Sequence, residues 1–341
     1  MWDPTQSPNF NHLLRHKFGE DKNMNLLITG GYGYLGSHCA EYFLSEGYNI
    51  RLLSRRIPPE MEKWGKKFDN FLANISDLDS LKGSCDNIDV VIHFAAINEI
   101  NCAKNTKESI LINGLGTKNL LDEAISQNVD RFIYISTFHV YGITNSKIIS
   151  EKTCPLPIHN YGISHYLAEL FCNQSNTNSN IKTIILRLSN GYGTPLFPSI
   201  DRWSLVINAF CKESVENNSI TLMTNGLQKR DFVSIKDIIQ AINIVINVQN
   251  DKLEDGLFNV GGNNPLSIVE IAQIIADEYK NLYGTNVKIQ FAPNLKEIKH
   301  NIDFHFSIDK IKALGYTPRQ QFHEEIQKTL KFCMKNWGEK S

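Results

Sequence analysis

At 341 residues the chain is long enough for one large domain or for two lobes that share a core. Its 42% hydrophobic and 21% charged residues are ordinary for a globular protein, and a formal net charge of -1 provides no global field for nucleic acid or an anionic membrane. The seven cysteines are odd in number, scattered and never spaced C-x-x-C, which argues against a disulfide framework or zinc site and suits a reducing cytoplasm. Ten histidines form no H-E-x-x-H or similar ligand pair, so no metal is expected.

Residues 1–23 are polar, with Pro4 and Pro8, and read as an N-terminal extension without the apolar core of a signal peptide. No stretch approaches the roughly 18 apolar residues of a membrane span. From Met24 the order is regular: "MNLLITGG" (24–31) as a strand, "YLGSHCAEYFLSEG" (34–47) as a helix and "YNIRLLS" (48–54) as a strand. "IDVVIHFAA" (88–96) is a strand, 104–128 carries a short and then a longer helix, and "DRFIYIST" (130–137) is another strand. A helix at 161–175 and a strand at 181–190 follow, and the pattern then loosens. "PLFPSIDRW" (195–203) reads as a loop and 265–284 as a helix opened by a capping box of Ser267 and Glu270. Apolar strands alternating with helices predict a Rossmann-like, doubly wound parallel α/β sheet with a smaller, mixed C-terminal substrate lobe. The expected division is an extension to residue 23, a dinucleotide lobe over 24–188 and a substrate lobe over 189–341, with 233–262 returning to the first lobe.

"TGGYGYLG" places Gly30, Gly33 and Gly36 between a strand and a helix, where a backbone can approach a pyrophosphate at the helix N-terminus. The second strand ends in "LLSRR", with no carboxylate to hold a ribose diol. Ser54 and Arg55 suit a 2′-phosphate instead, so NADP is favoured and NAD kept as the alternative. Two solvated surface arginines are the plainer reading of the same residues.

With "HFAA" (93–96), "NGLGT" (113–117), "STFHVYG" (136–142), "YGISH" (161–165), "LRLSNGYG" (186–193), "RDFVSIKD" (230–237), "FNVGG" (258–262) and "DKIKALGYTP" (309–318) in this order, the chain resembles the extended short-chain dehydrogenase/reductases. Within them it is similar to the nucleotide-sugar epimerase and dehydratase group, from Met24 to about Pro318. The resemblance implies a nucleotide-diphosphate sugar as substrate and a homodimer. That dimer would pair helices near 104–127 and 161–175, with Leu167, Leu170 and Phe171 at the contact. It also implies that Tyr34, Leu35, Ala95, Ala96, Asn113 and Ser136 join the glycines at the cofactor. Asn98, His139, Asn190 and Arg230 would face the substrate, the last two at its diphosphate.

The same resemblance makes Tyr161 the acid/base, with Thr137 aligning the sugar hydroxyl. His165 departs from it, standing where the family has a lysine. Tyr161 and His165 share a helical face at i, i+4, so an imidazole there can still reach a ribose. With an ordinary pKa of about 6.5 its charge would be conditional, and activity is expected to vary with pH between about 6 and 8. Phe138 and His139 occupy the places of the Asp-Glu pair that the family's dehydratases use, so dehydration is not expected. The expectation is an NAD(P)-dependent 4-epimerase or dehydrogenase. The alternatives are an NADPH-dependent keto-sugar reductase and, from another class, a non-catalytic dinucleotide-binding sensor or scaffold. An arginine often supplied late in the family is replaced by Lys299 and His300.

Overall fold

The computed structural model describes residues 24–143, 146–294, 304–319 and 321–338. The N-terminal extension and the Lys299–His300 pair therefore lie outside the described residues. Seven parallel strands form the central sheet: β1 (Asn25–Thr29), β2 (Asn49–Ser54), β3 (Asp69–Leu72), β4 (Val90–His93), β5 (Arg131–Thr137), β6 (Lys182–Leu188) and β7 (Leu257–Val260). The helices that matter for the site are α1 (Tyr34–Ser45), α2 (Thr117–Ser126), α3 (Asn160–Asn178), α4 (Val206–Asn217), α5 (Ile235–Asn247), α6 (Ile268–Tyr283) and α7 (Phe322–Trp337).

The spatial order is β7-β6-β5-β4-β1-β2-β3. Strand order therefore reverses between β1 and β4, and a crevice opens there at the carboxyl ends, the usual ligand position of such sheets. Val90, Val91 and Ile92 of β4 are all buried, as are Ile184, Ile185 and Leu186 of β6. Both faces of these strands are covered, which is why their sequences are apolar without alternation.

Two apolar clusters lie between sheet and helices, one joining α1 and α5 to the sheet and the other joining α2 and α3. A third unites α4, α6 and α7 with Tyr192 and Phe232, and forms the second lobe. Residues 235–260, although late in sequence, pack with the first cluster and complete the sheet's edge as β7 on β6. The capping box is present: Ser267 caps α6 through the Glu270 N–H, and the Glu270 carboxylate accepts from the Ser267 N–H at 2.7 Å. The region before α2 differs from a plain helix pair. Ile110–Gly116 is π-helical, and the short helices Glu99–Lys104 and Thr106–Ser109 precede it.

Candidate functional site

One cavity of about 950 Å³ runs along the carboxyl ends of the strands into the second lobe. At one end the chain leaves β1 through Gly30 and enters α1 at Gly33, where no side chain caps the helix. A Cβ on Gly36 would lie 2.3 Å from the Gly30 carbonyl oxygen, so the helix can seat this close only with glycine. An uncapped N-terminus against a cleft offers free N–H groups and a positive dipole end, a fit for a pyrophosphate. Gly30, Gly33, Tyr34, Leu35 and Gly36 line this end. Ser54 and Arg55 from β2, Ala95 and Ala96 after β4, and Ser136 from β5 continue the wall. Ser54 Oγ turns back to donate to the Arg56 carbonyl at 2.9 Å, while Arg55 is exposed.

Four arginines (55, 56, 202 and 230) and one carboxylate, Glu99, are the formally charged side chains among the described residues of the lining. Such a wall suits a ligand with several phosphates. Asn190 and Arg230 line the second-lobe side, close to His139. Arg230 does not spend itself on Asp231: that carboxylate points away and accepts from the Gly262 and Asn264 backbones at 2.9 and 3.2 Å. Asn190 donates to the Asp231 carbonyl at 2.9 Å.

Tyr161, Thr137 and His165 meet where α3 starts over the end of β5. Close approach is again a glycine matter, because a Cβ on Gly162 would come 2.6 Å from the His139 carbonyl. Burial pushes the Tyr161 phenol up to about 12, against the pull of the Arg202 guanidinium and a hydrogen bond with Thr137. His165 is 3% exposed, with its ring 4.5 Å from that of Tyr161. Its Nδ1 is 2.7 Å from the Tyr134 hydroxyl, and its Nε2 is buried without a protein partner.

The expected conditional charge on His165 is corrected by this setting. Burial, with smaller contributions from His139 and His93, lowers its pKa to about 3. The imidazole is neutral throughout pH 6 to 8, and no titration of His165 in that window follows.

Two residues expected at the ligand lie outside the lining. Asn98 caps the helix Glu99–Lys104, accepting from Asn101 N–H at 2.9 Å. Asn113 is 1% exposed and ties three segments together, accepting from Ile97 N–H at 2.8 Å and donating to Ser164 Oγ at 3.1 Å. Its role in the structure is to hold the π-helical segment against α3. His93 is internal as well. Thr117 gives its proton to the Asn113 carbonyl at 2.6 Å, so it accepts from His93 Nε2–H at 3.0 Å, and His93 Nδ1 takes the Thr29 hydroxyl at 2.6 Å. Of the residues expected at a dimer contact, Leu170 is exposed, whereas Leu167 packs over Gly114.

Three residues at the site escape motif reading. Arg202 lies in the loop 195–203 and Tyr134 inside an apolar strand. His159 accepts from Gly162 N–H at 3.1 Å and contacts His139 Nδ1 at 3.3 Å through its own Nε2. The signal for Tyr134 was present: hydroxyls at 134 and 136 alternate on one strand face, opposite His165 and Glu169 spaced i, i+4 on α3.

Comparison with known proteins agrees with this architecture. The chain is 29% identical over 314 residues to the "Putative UDP-glucose 4-epimerase" of Methanocaldococcus jannaschii, spanning 91% of this chain and 99% of that one. Its fold is similar to a UDP-N-acetylglucosamine 4-epimerase from Methanobrevibacter ruminantium, with a TM-score of 0.81, 20% identity and coverage of 92% and 99%. It is similar also to a UDP-glucuronic acid 4-epimerase from Bacillus cereus in complex with UDP-glucuronic acid and NAD, with a TM-score of 0.77, 24% identity and the same coverage. The sequence model of the NAD dependent epimerase/dehydratase family matches residues 26–261, and the chain belongs to that family.

Proposed function

We propose that the protein is an NAD(P)-dependent oxidoreductase of a nucleotide-diphosphate sugar, acting as a 4-epimerase. The observation that carries this is one cavity. It joins the uncapped glycine turn, the Tyr161–Thr137–His165 cluster and the Asn190–Arg230 wall. Bound in the glycine turn, the dinucleotide supplies reversible hydride exchange with a sugar carbon. Arg230 and Asn190 hold the diphosphate, and Thr137 aligns the reacting hydroxyl. Tyr161 takes the hydroxyl proton as the carbon is oxidised and returns one when it is reduced on the other face. A phenol at about 12 is a weak base, so its activation depends on positive charge from Arg202 and from oxidised cofactor. With no carboxylate at positions 138 and 139, water elimination lacks its acid and base.

The end of β2 favours NADP over NAD, since Arg55 and Arg56 stand where a ribose-binding carboxylate would otherwise be. The same feature supports the second reading, a one-way NADPH-dependent keto-sugar reductase. Ile110, Leu111, Leu115, Ile163 and Leu170 are exposed around the π-helical segment and α3, and we assign this face to a homodimer. All seven cysteines are unpaired, in keeping with a cytoplasmic protein, and no described helix is long and apolar enough to cross a membrane.

The deciding experiment is chromatography of the dinucleotide released on heat denaturation, coupled to assays with UDP-hexoses. Stoichiometric oxidised cofactor with interconversion of C4 epimers is the expected result. An empty protein that consumes NADPH with a 4-keto sugar would establish the reductase instead. Failure to bind either dinucleotide would refute both.

A further inference from the structure

We infer that Tyr134 is a positioning residue that fixes the His165 imidazole with its proton on Nε2, so that position 165 presents one rigid, neutral N–H donor to a ligand hydroxyl. The identity of that ligand, the dinucleotide ribose, rests on the function proposed above. The tautomer rests on this chain alone.

Strand alternation sets the contact. Tyr134 and Ser136 point from β5 to the face covered by α3, and His165 and Glu169, one helical turn apart, point back. Tyr134 is 2% exposed and its hydroxyl lies 2.7 Å from His165 Nδ1. The bond has two possible directions. If Nδ1–H donated, the Tyr134 proton would need another acceptor in a dry site. The Thr117 hydroxyl, a hydrogen-bond partner of Tyr134, receives His93 Nε2–H and has one lone pair left, so the two directions differ in the strength of the acceptor that the phenol proton finds. An imidazole lone pair is a stronger acceptor than an alcohol oxygen, so the phenol donates to Nδ1 and the imidazole proton sits on Nε2.

Nε2 then has a donor to offer and no protein group to take it. The ring borders the cavity beside Tyr161, so the missing acceptor belongs to whatever occupies that cavity. A lysine would supply a flexible ammonium with three protons and a charge. The Tyr134–His165 pair supplies one direction and no charge. The two functions of a lysine are thereby separated, and the charge that acts on Tyr161 must come from elsewhere in the pocket.

The test is ¹⁵N–¹H NMR of the full chain labelled at histidine, without and with NAD or NADP, together with a double-mutant cycle on dinucleotide affinity. His165 should show the Nε2–H tautomer in the free protein, with its Nε2 resonance moving when dinucleotide binds. Tyr134→Phe should weaken dinucleotide binding about tenfold in the His165 protein. In the His165→Lys background, where no tautomer exists to be set, the same change should cost less than twofold. A free-protein signal for Nδ1–H would overturn the inference, as would an equal loss in both backgrounds, which marks mere packing. If the wild-type chain binds neither dinucleotide, the proposed function falls, and the tautomer still stands or falls on the NMR of the free protein.

Discussion

The two ends of the cavity are built on different principles. The glycine-turn end is shaped by backbone: its form follows from Gly30, Gly36 and an uncapped α1, with Arg55 and Arg56 adding charge at its rim. The Tyr161 end is made of side chains held by other side chains: Tyr134 on His165, His159 on His139, and Glu169 between Ser136 and Arg187. A backbone site can be recognised from spacing alone and tolerates drift around it. A side-chain site depends on the groups packed behind it, here the Tyr134 hydroxyl against His165.

The difference is open to attack at several strengths. The largest effect is expected from Tyr161→Phe, which should lower turnover about 10²–10⁴-fold while dinucleotide binding persists. Steady-state kinetics beside a binding titration checks this, and loss of both together would make Tyr161 a structural residue. Next comes Glu169→Ala. The Glu169 carboxylate, 0% exposed, receives Arg187 Nη2 at 2.6 Å and Nε at 3.0 Å, and its removal leaves a buried guanidinium unpaired. Such breaks cost about 3–5 kcal/mol, readable in a urea titration. A loss below about 1 kcal/mol would show that the layer behind the site is not holding it.

Acid should act on the buried imidazoles behind the site. His93 and His165 are both lowered to about 3 by burial, so below their unfolded value near 6.5 the unfolded chain binds protons that the native one refuses. Their contribution is therefore complete above about pH 6.5 and is lost as pH falls towards 3, roughly 2 kcal/mol for each between pH 7 and 5. Between those two pH values the wild type should lose about 2 kcal/mol more unfolding free energy than His165→Gln, read from urea titrations; equal losses would contradict a neutral, buried imidazole. The smallest effect belongs to Asn98→Ala. As a helix cap it should cost about 1 kcal/mol in stability and leave KM for the sugar nucleotide unchanged. A raised KM at full stability would return Asn98 to the substrate.

The sequence displays these two ends unequally. The sheet, the glycine turn and the placing of Tyr161, Thr137, Asn190 and Arg230 on one cavity were legible because each depends on local period or on a short motif. Asn98 and Asn113 fall outside the cavity lining, and an asparagine reads alike in sequence whether its amide meets a ligand, a helix N-terminus or a neighbouring loop. The charge of His165 was misread for a related reason. An imidazole has no fixed pKa until its burial is known, and burial here depends on β4 and β5 packing beneath α3. Arg202 sits in a loop without periodicity, so only the folded chain brings it to Tyr161.

The late return of residues 235–260 to the first lobe carries a consequence for how the molecule is made. Until β7 is synthesised, β6 is an open edge along Ile185–Leu188, and the apolar face of α5 is missing from the cluster beside α1. An emerging chain that has completed the glycine turn, α3 and β6 must therefore wait about 70 further residues to close its sheet. During that interval the unpaired strand is the place where a neighbouring copy could add itself. Fragments cut near residue 188 should aggregate, and a circular permutant that brings 235–260 forward should shorten the wait.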